Sequence, residues 1–185
     1  MQMIYVGGVP GVGKTSLLSA IRGNLSSNTT VIELSKEFNN LSQQKLGKDL
    51  NEISKSERDY LRMEATSLVT NLKSDLVIVD THYVDKGSGK FKILVPSELM
   101  SSVDFWMLVE SKPEEILARR LRDQKVKIRD CSLDSIVKEA KRERMVAEHL
   151  SINTKKPLYI IRNDNFLVAL HKIFILINNF VRNSN

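Results

Sequence analysis

Gly8-Val9-Pro10-Gly11-Val12-Gly13-Lys14-Thr15 decides how this chain folds, because it satisfies the phosphate-binding pattern G-x-x-x-x-G-K-[ST] in full. Met3-Ile4-Tyr5-Val6 before it reads as a short buried strand, and Ser16-Leu17-Leu18-Ser19-Ala20-Ile21 after it as the opening of a helix. Small residues let the backbone turn its N–H groups inward around phosphate oxygens, and the helix N-terminus adds partial positive charge. Lys14 is placed to reach the β- and γ-phosphates, and the Thr15 hydroxyl to ligate Mg²⁺. The expected nucleoside triphosphate site is therefore Gly8, Val9, Pro10, Gly11, Val12, Gly13, Lys14, Thr15 and Ser16. A glycine-rich turn that binds nothing is the alternative, and the strand and helix on either side argue against it.

Beyond the loop, short apolar runs alternate with helical patterns. Strands are expected at Met3–Val6, Val31–Leu34, Leu76–Val79, Phe105–Val109 and Leu158–Ile161. Helices are expected near 14–25, 56–73, 113–124, 133–150 and 165–182. Unbroken apolar strands are those covered on both faces. The pattern predicts an α/β fold, a five-stranded parallel sheet with helices on both faces, of the P-loop NTPase or nucleotide kinase type. No repeat, low-complexity tract or linker divides the chain, so residues 1–185 are read as one domain. Two stretches exceed a bare sandwich. Residues 36–73 form a helical insertion, less regular over 36–53, where one or two short helices are expected. The basic segment 119–132 joins two helices. In a phosphate-loop kinase these places hold the acceptor-binding region and an Arg-rich lid.

A chain of 185 residues buries about 70% of its unfolded surface, and a hydrophobic content of 42% supplies the core. Lys plus Arg number 28 against 22 Asp plus Glu, a formal charge of +6 that suits partners made of phosphate. Cys131 has no second cysteine to pair with, which points to a reducing, cytoplasmic compartment. Met3 follows the N-terminus too closely for a charged leader. The apolar run Phe166–Val181 falls short of the ~20 residues of a membrane span. His171, Lys172, Asn178 and Asn179 share one of its faces, so it reads as a helix docked on the core and not as a membrane anchor.

Asp80-Thr81-His82 closes the third strand. A carboxylate at the carboxyl end of a strand beside the loop strand is well placed to hold Mg²⁺, so Thr15 and Asp80 are the metal candidates. His82 is read as a substrate-side contact, with a structural role as the alternative, since phosphoryl transfer needs little base assistance. Arg119, Arg120, Arg122, Lys125, Lys127 and Arg129, followed by Lys138, Lys141, Arg142 and Arg144, place two basic helix ends on a short loop. Such a pair can fold over a triphosphate, neutralise the transferring group and exclude water; a solvated charged face is the alternative. Trp106 reads as core, Cys131 as a structural thiol, and His149 and His171 lack metal-ligand spacing.

In this order and spacing, the loop, Val79-Asp80-Thr81-His82 and the Arg-rich lid resemble the archaeal type of adenylate kinase, from Met3 to about residue 165. Val109-Glu110-Ser111-Lys112-Pro113, Ile116-Leu117 and Arg122-Asp123 are similar to that family's entry into the lid. The resemblance implies reversible phosphorylation of AMP by ATP with Mg²⁺, giving two ADP. It implies that Arg122, Arg129 and Arg142 close over the transferring phosphoryl group around Lys14, although the lid arginines after Arg122-Asp123 are shifted from the family's positions. It also implies that His82, Lys86 and Arg58, or Arg62 in its place, face the acceptor. Some relatives of that type are homotrimers, so a homo-oligomer, trimer or dimer, goes with it. The acceptor side departs from the family: Asn51 and Lys86 stand at arginine positions, and Leu94-Val95-Pro96 replaces Gly-Leu-Pro. Lysine keeps the charge and loses the bidentate fork.

Other functions stay open at this point. A kinase for another nucleoside monophosphate or small acceptor shares the donor half. A non-kinase ATPase or switch protein shares the loop. A GTPase switch would require N-K-x-D and D-x-x-G motifs, which have no usable match here. RNA binding favours aromatics among the basic residues, and 119–132 contains none, which argues against a nucleic-acid partner.

Overall fold

The computed structural model describes residues 1–26, 28–84, 93–123 and 131–182. Its five strands are β1 (Gln2–Gly7), β2 (Thr29–Glu33), β3 (Leu76–Asp80), β4 (Phe105–Glu110) and β5 (Leu158–Arg162), all parallel, in the order β2-β3-β1-β4-β5. The helices are α1 (Lys14–Arg22), α2 (Leu34–Leu46), α3 (Lys55–Thr70), α4 (Ser97–Met100), α5 (Pro113–Arg122), α6 (Leu133–Thr154) and α7 (Phe166–Arg182). The apolar runs of β1, β3 and β4 are covered on both faces, whereas β5, expected to be covered likewise, lies at the sheet's edge and leaves Tyr159 and Ile160 exposed. Ile4 and Val6 of β1 pack with Leu17 and Leu18 of α1 and Ile173 and Ile177 of α7. Met3 and Tyr5 pack with Val69 of α3, Leu99 of α4 and Ala147 and Leu150 of α6. Trp106 of β4 is fully buried and gives its indole N–H to Thr154 Oγ1 at 2.9 Å.

Register places the site. Val6 pairs with Asp80 on one side and Met107 on the other, so β1 and β3 end within one residue of each other and β4 runs two residues further. The chain crosses from β3 to β4 past β1, and ligands of open α/β sheets bind outside the strand ends at such a reversal. Leu41, Ile53, Leu61 and Ala65 give the α2–α3 pair a small core of its own beside that opening.

The differences from expectation lie at element ends. β2 starts at Thr29, because Thr29 and Thr30 pair with Leu76 and Val77 at the sheet's edge, and the chain turns helical at Leu34. The irregular stretch 36–53 holds part of one helix, α2, closed by Gly47 at φ 63°. α6 runs a turn further than expected, to Thr154. No described helix is long and apolar enough to cross a membrane.

Candidate active site

α1 begins at Lys14, and its first helical bond is Leu17 N–H to Gly13 O at 3.1 Å. The amides of Lys14, Thr15 and Ser16 therefore have no acceptor inside the helix. Gly11 and Gly13 have φ of 87° and 95°, where L side chains are strained. Space forbids them as well: a Cβ on Gly11 would lie 2.9 Å from Arg120 Cγ, and one on Gly13 2.6 Å from Asn163 Nδ2. Only glycine lets the loop turn this tightly against its supports.

The Lys14 ammonium is buried, gives a hydrogen bond to Gly8 O at 2.7 Å and lies 4.0 Å from Asp80 Oδ1. Thr15 Oγ1 donates to Asp80 Oδ2 at 2.5 Å. Burial raises the Asp80 carboxyl above the usual range, while the Lys14 charge and the Thr15 hydrogen bond pull it back down. A hydroxyl and a carboxylate are hard oxygen ligands, and Mg²⁺ takes one or two such groups and fills its other positions with phosphate and water. Thr15 and Asp80 fit that ion. The Nδ1 of His82 is 2.7 Å from Gly8 O and 3.4 Å from Lys14 Nζ, so the imidazole sits on the loop itself.

Several supports of the loop come from distant sequence. Arg119 donates to Val12 O at 3.0 Å and to Asn163 O at 2.8 Å. Asn163 Nδ2 donates to the same Val12 O at 2.7 Å. Arg120, whose side chain is fully buried, donates from Nε to Pro10 O at 2.9 Å and from Nη2 to Glu139 Oε2 at 2.6 Å. Two arginines of the basic cluster thus hold the loop from α5. The sequence signal was the basic run; Glu139 and Glu143 lie within its second patch but, like Asn163, were not themselves marked.

Three cavities open on this ground. One of about 380 Å³ lies over Gly11, Gly13, Lys14, Thr15 and Asp80. A mostly apolar one of about 280 Å³ lies against α2 and α3, lined by Phe38, Leu50, Arg58, Arg62 and Leu99 among others. A central one of about 590 Å³ reaches Lys138, Arg142 and Glu143 of α6. Ser35 and His82 line all three, so the cavities meet there. Ser35, at the first turn of α2, is a site residue that carried no signal in the sequence.

The structure brings together Gly8 to Ser16, Asp80 and His82, with Arg58 and Arg142 on the walls of the adjoining cavities. Arg58 also gives a hydrogen bond to Leu50 O at 2.8 Å. Arg122 is exposed at the last residue of α5. Arg129 and Lys86, with Lys125 and Lys127, lie outside the described residues, as does half of the segment read as a lid, 124–130.

A sequence model described as AAA domain matches residues 7–137, from the end of β1 into α6. The chain belongs to the AAA domain family. Among curated relatives of this AAA domain protein, the adenylate kinase of Methanoculleus marisnigri is 29% identical over 182 residues, covering 89% of this chain and 91% of that one. An adenylate kinase homolog of Methanothermobacter thermautotrophicus is 28% identical over 138 residues, covering 72% and 69%. The adenylate kinase of Pyrococcus furiosus is 25% identical over 175 residues, covering 91% and 84%. Among solved structures, shikimate kinase from Bacteroides thetaiotaomicron superposes with a TM-score of 0.65 at 14% identity, covering 96% and 98%. That likeness concerns the fold, a P-loop nucleotide kinase fold with a five-stranded parallel sheet. Kinase relatives over most of the chain support a phosphotransferase.

Proposed function

We propose that this AAA domain protein is a nucleoside monophosphate kinase of the adenylate kinase type, transferring phosphoryl reversibly from ATP to AMP to give two ADP. The observation that carries the reading is the meeting of a phosphate-loop cavity and an apolar, arginine-bearing pocket at Ser35 and His82. A planar base suits the apolar walls of Phe38, Leu50 and Leu99, and its phosphate suits Arg58 or Arg62. Transfer between two phosphates depends on positioning and charge neutralisation more than on proton removal, which agrees with a site rich in cations.

In this reading the amides of Gly11 to Thr15 bind the donor phosphates, and Lys14 neutralises charge between donor and acceptor. Thr15 and Asp80 hold Mg²⁺, which supplies further neutralisation of the β- and γ-phosphates. Arg142, from the wall of the central cavity, and Arg122 and Arg129, both within the 119–132 segment, close over the transferring group. His82, Arg58 and Lys86 orient the acceptor. A cytoplasmic location and a homo-oligomer go with the same reading.

An acceptor screen tests it. Purified protein with ATP and Mg²⁺ is given AMP, CMP, UMP, GMP or nothing, and diphosphate is read by chromatography. Rapid ADP formation that requires AMP is the expected result. Preference for another monophosphate would move the acceptor assignment, and ATP hydrolysis indifferent to any acceptor would overturn the kinase reading.

A further inference from the structure

We propose that Glu143 on α6 is a positioning residue that fixes the segment after β3 against the phosphate loop and so sets the affinity for the phosphate acceptor. This rests on the kinase reading above. Glu143 is 4% exposed. A carboxylate so buried persists where its oxygens accept hydrogen bonds. Here Oε2 accepts from the Tyr83 amide at 2.9 Å, and Oε1 lies 4.0 Å from His82 Nδ1.

What Glu143 holds is the wall between two cavities. Tyr83 O accepts from Leu94 N–H at 2.9 Å, and Val84 bridges to Ile93, so the segments on either side of 85–92 are paired. His82 and Leu94 of this wall face both the central cavity and the apolar pocket. From below, the Tyr83 hydroxyl is 2.9 Å from Tyr5 O and 2.8 Å from Met107 O and shares its one proton between them. Glu143 supplies the matching hold from the α6 side. Without it the Tyr83 amide loses its acceptor, and the wall loses its tie to α6. The donor loop is held by other groups, Arg119, Arg120 and Asn163. Loss of Glu143 therefore acts on the acceptor more than on the donor, whose loop Glu143 reaches only through His82.

Glu143→Ala and Glu143→Gln test this, the second keeping the volume and one acceptor oxygen. Steady-state kinetics with ATP·Mg²⁺ and AMP are measured beside amide hydrogen exchange of residues 81–84. For Glu143→Ala we expect faster exchange in that segment, a KM for AMP raised about tenfold or more, and a KM for ATP within about twofold of wild type. Glu143→Gln should fall between, and it carries the same comparison where the alanine variant does not fold. Unchanged exchange at 81–84 overturns the positioning role whatever the kinetics. Equal rises in both KM values, or a loss of kcat alone, overturn its acceptor selectivity. Wild-type protein that does not phosphorylate AMP counts against the kinase reading only, and the exchange result then judges Glu143.

Discussion

Lys14 shows how one side chain serves both fold and chemistry. Its ammonium is buried at 6% exposure between Gly8 O and the Asp80 carboxylate, a cost accepted only because both neighbours compensate it. Lys14→Ala removes the charge meant for the phosphates and leaves the Thr15–Asp80 hydrogen bond in place. Turnover should fall by about 10³-fold or more, while circular dichroism and a cooperative thermal transition are retained. A variant that kept most of its activity would show that the chemistry lies elsewhere. Gly7 is a separate case. The Tyr83 ring occupies the space where its Cβ would lie, and the Tyr83 hydroxyl is fixed on two strands. Gly7→Ala should cost roughly 1–3 kcal/mol of stability, read as a lower urea midpoint with unchanged slope.

Arg120 joins three elements, α5, the phosphate loop and α6, through Pro10 O and Glu139. Arg120→Met keeps the stem and leaves Glu139, 14% exposed, without its closest cation. Breaking such a buried pair costs roughly 3–5 kcal/mol. Urea unfolding should register that loss, and ATP binding by calorimetry should weaken with it because Pro10 and Gly11 lose their backing. A variant of wild-type stability would show that the joint is not structural. None of these partners was legible in the sequence, and the reason is range. Strands appeared as apolar runs and helices by their period, both local signals, and all five strands stand within two residues of the predicted starts. The phosphate loop was legible because strand, glycines, lysine and helix are contiguous. Arg120 with Glu139, Val12 with Asn163 and Tyr83 with Glu143 meet only after the sheet is ordered, and no periodicity marks them. Short α4 escaped because four residues carry no period.

Across the molecule, the three cavities sit beyond the ends of β1 and β3, and burial there makes charge costly. Glu143 makes this measurable. Burial pushes its carboxyl up from 4.5 to about 7, against the Tyr83 and Val84 amides and the Lys14 charge, with Glu139 one turn earlier adding to the rise and His82 4.0 Å away. Between those two values the folded chain holds a proton there that the unfolded chain releases. Stability from this group is thus fully present below pH 4.5 and is lost as pH rises through about 7. A shift of that size corresponds to about 3 kcal/mol. Glu143→Gln cannot ionise, so subtracting its unfolding free energy from that of wild type cancels the other titrations. The difference should move against wild type by about 3 kcal/mol between pH 4.5 and 8 and level off above, in urea series at fixed ionic strength. A difference independent of pH would mean that the Glu143 carboxyl titrates alike in folded and unfolded chains, and that water reaches it in spite of its burial between α6 and the segment after β3.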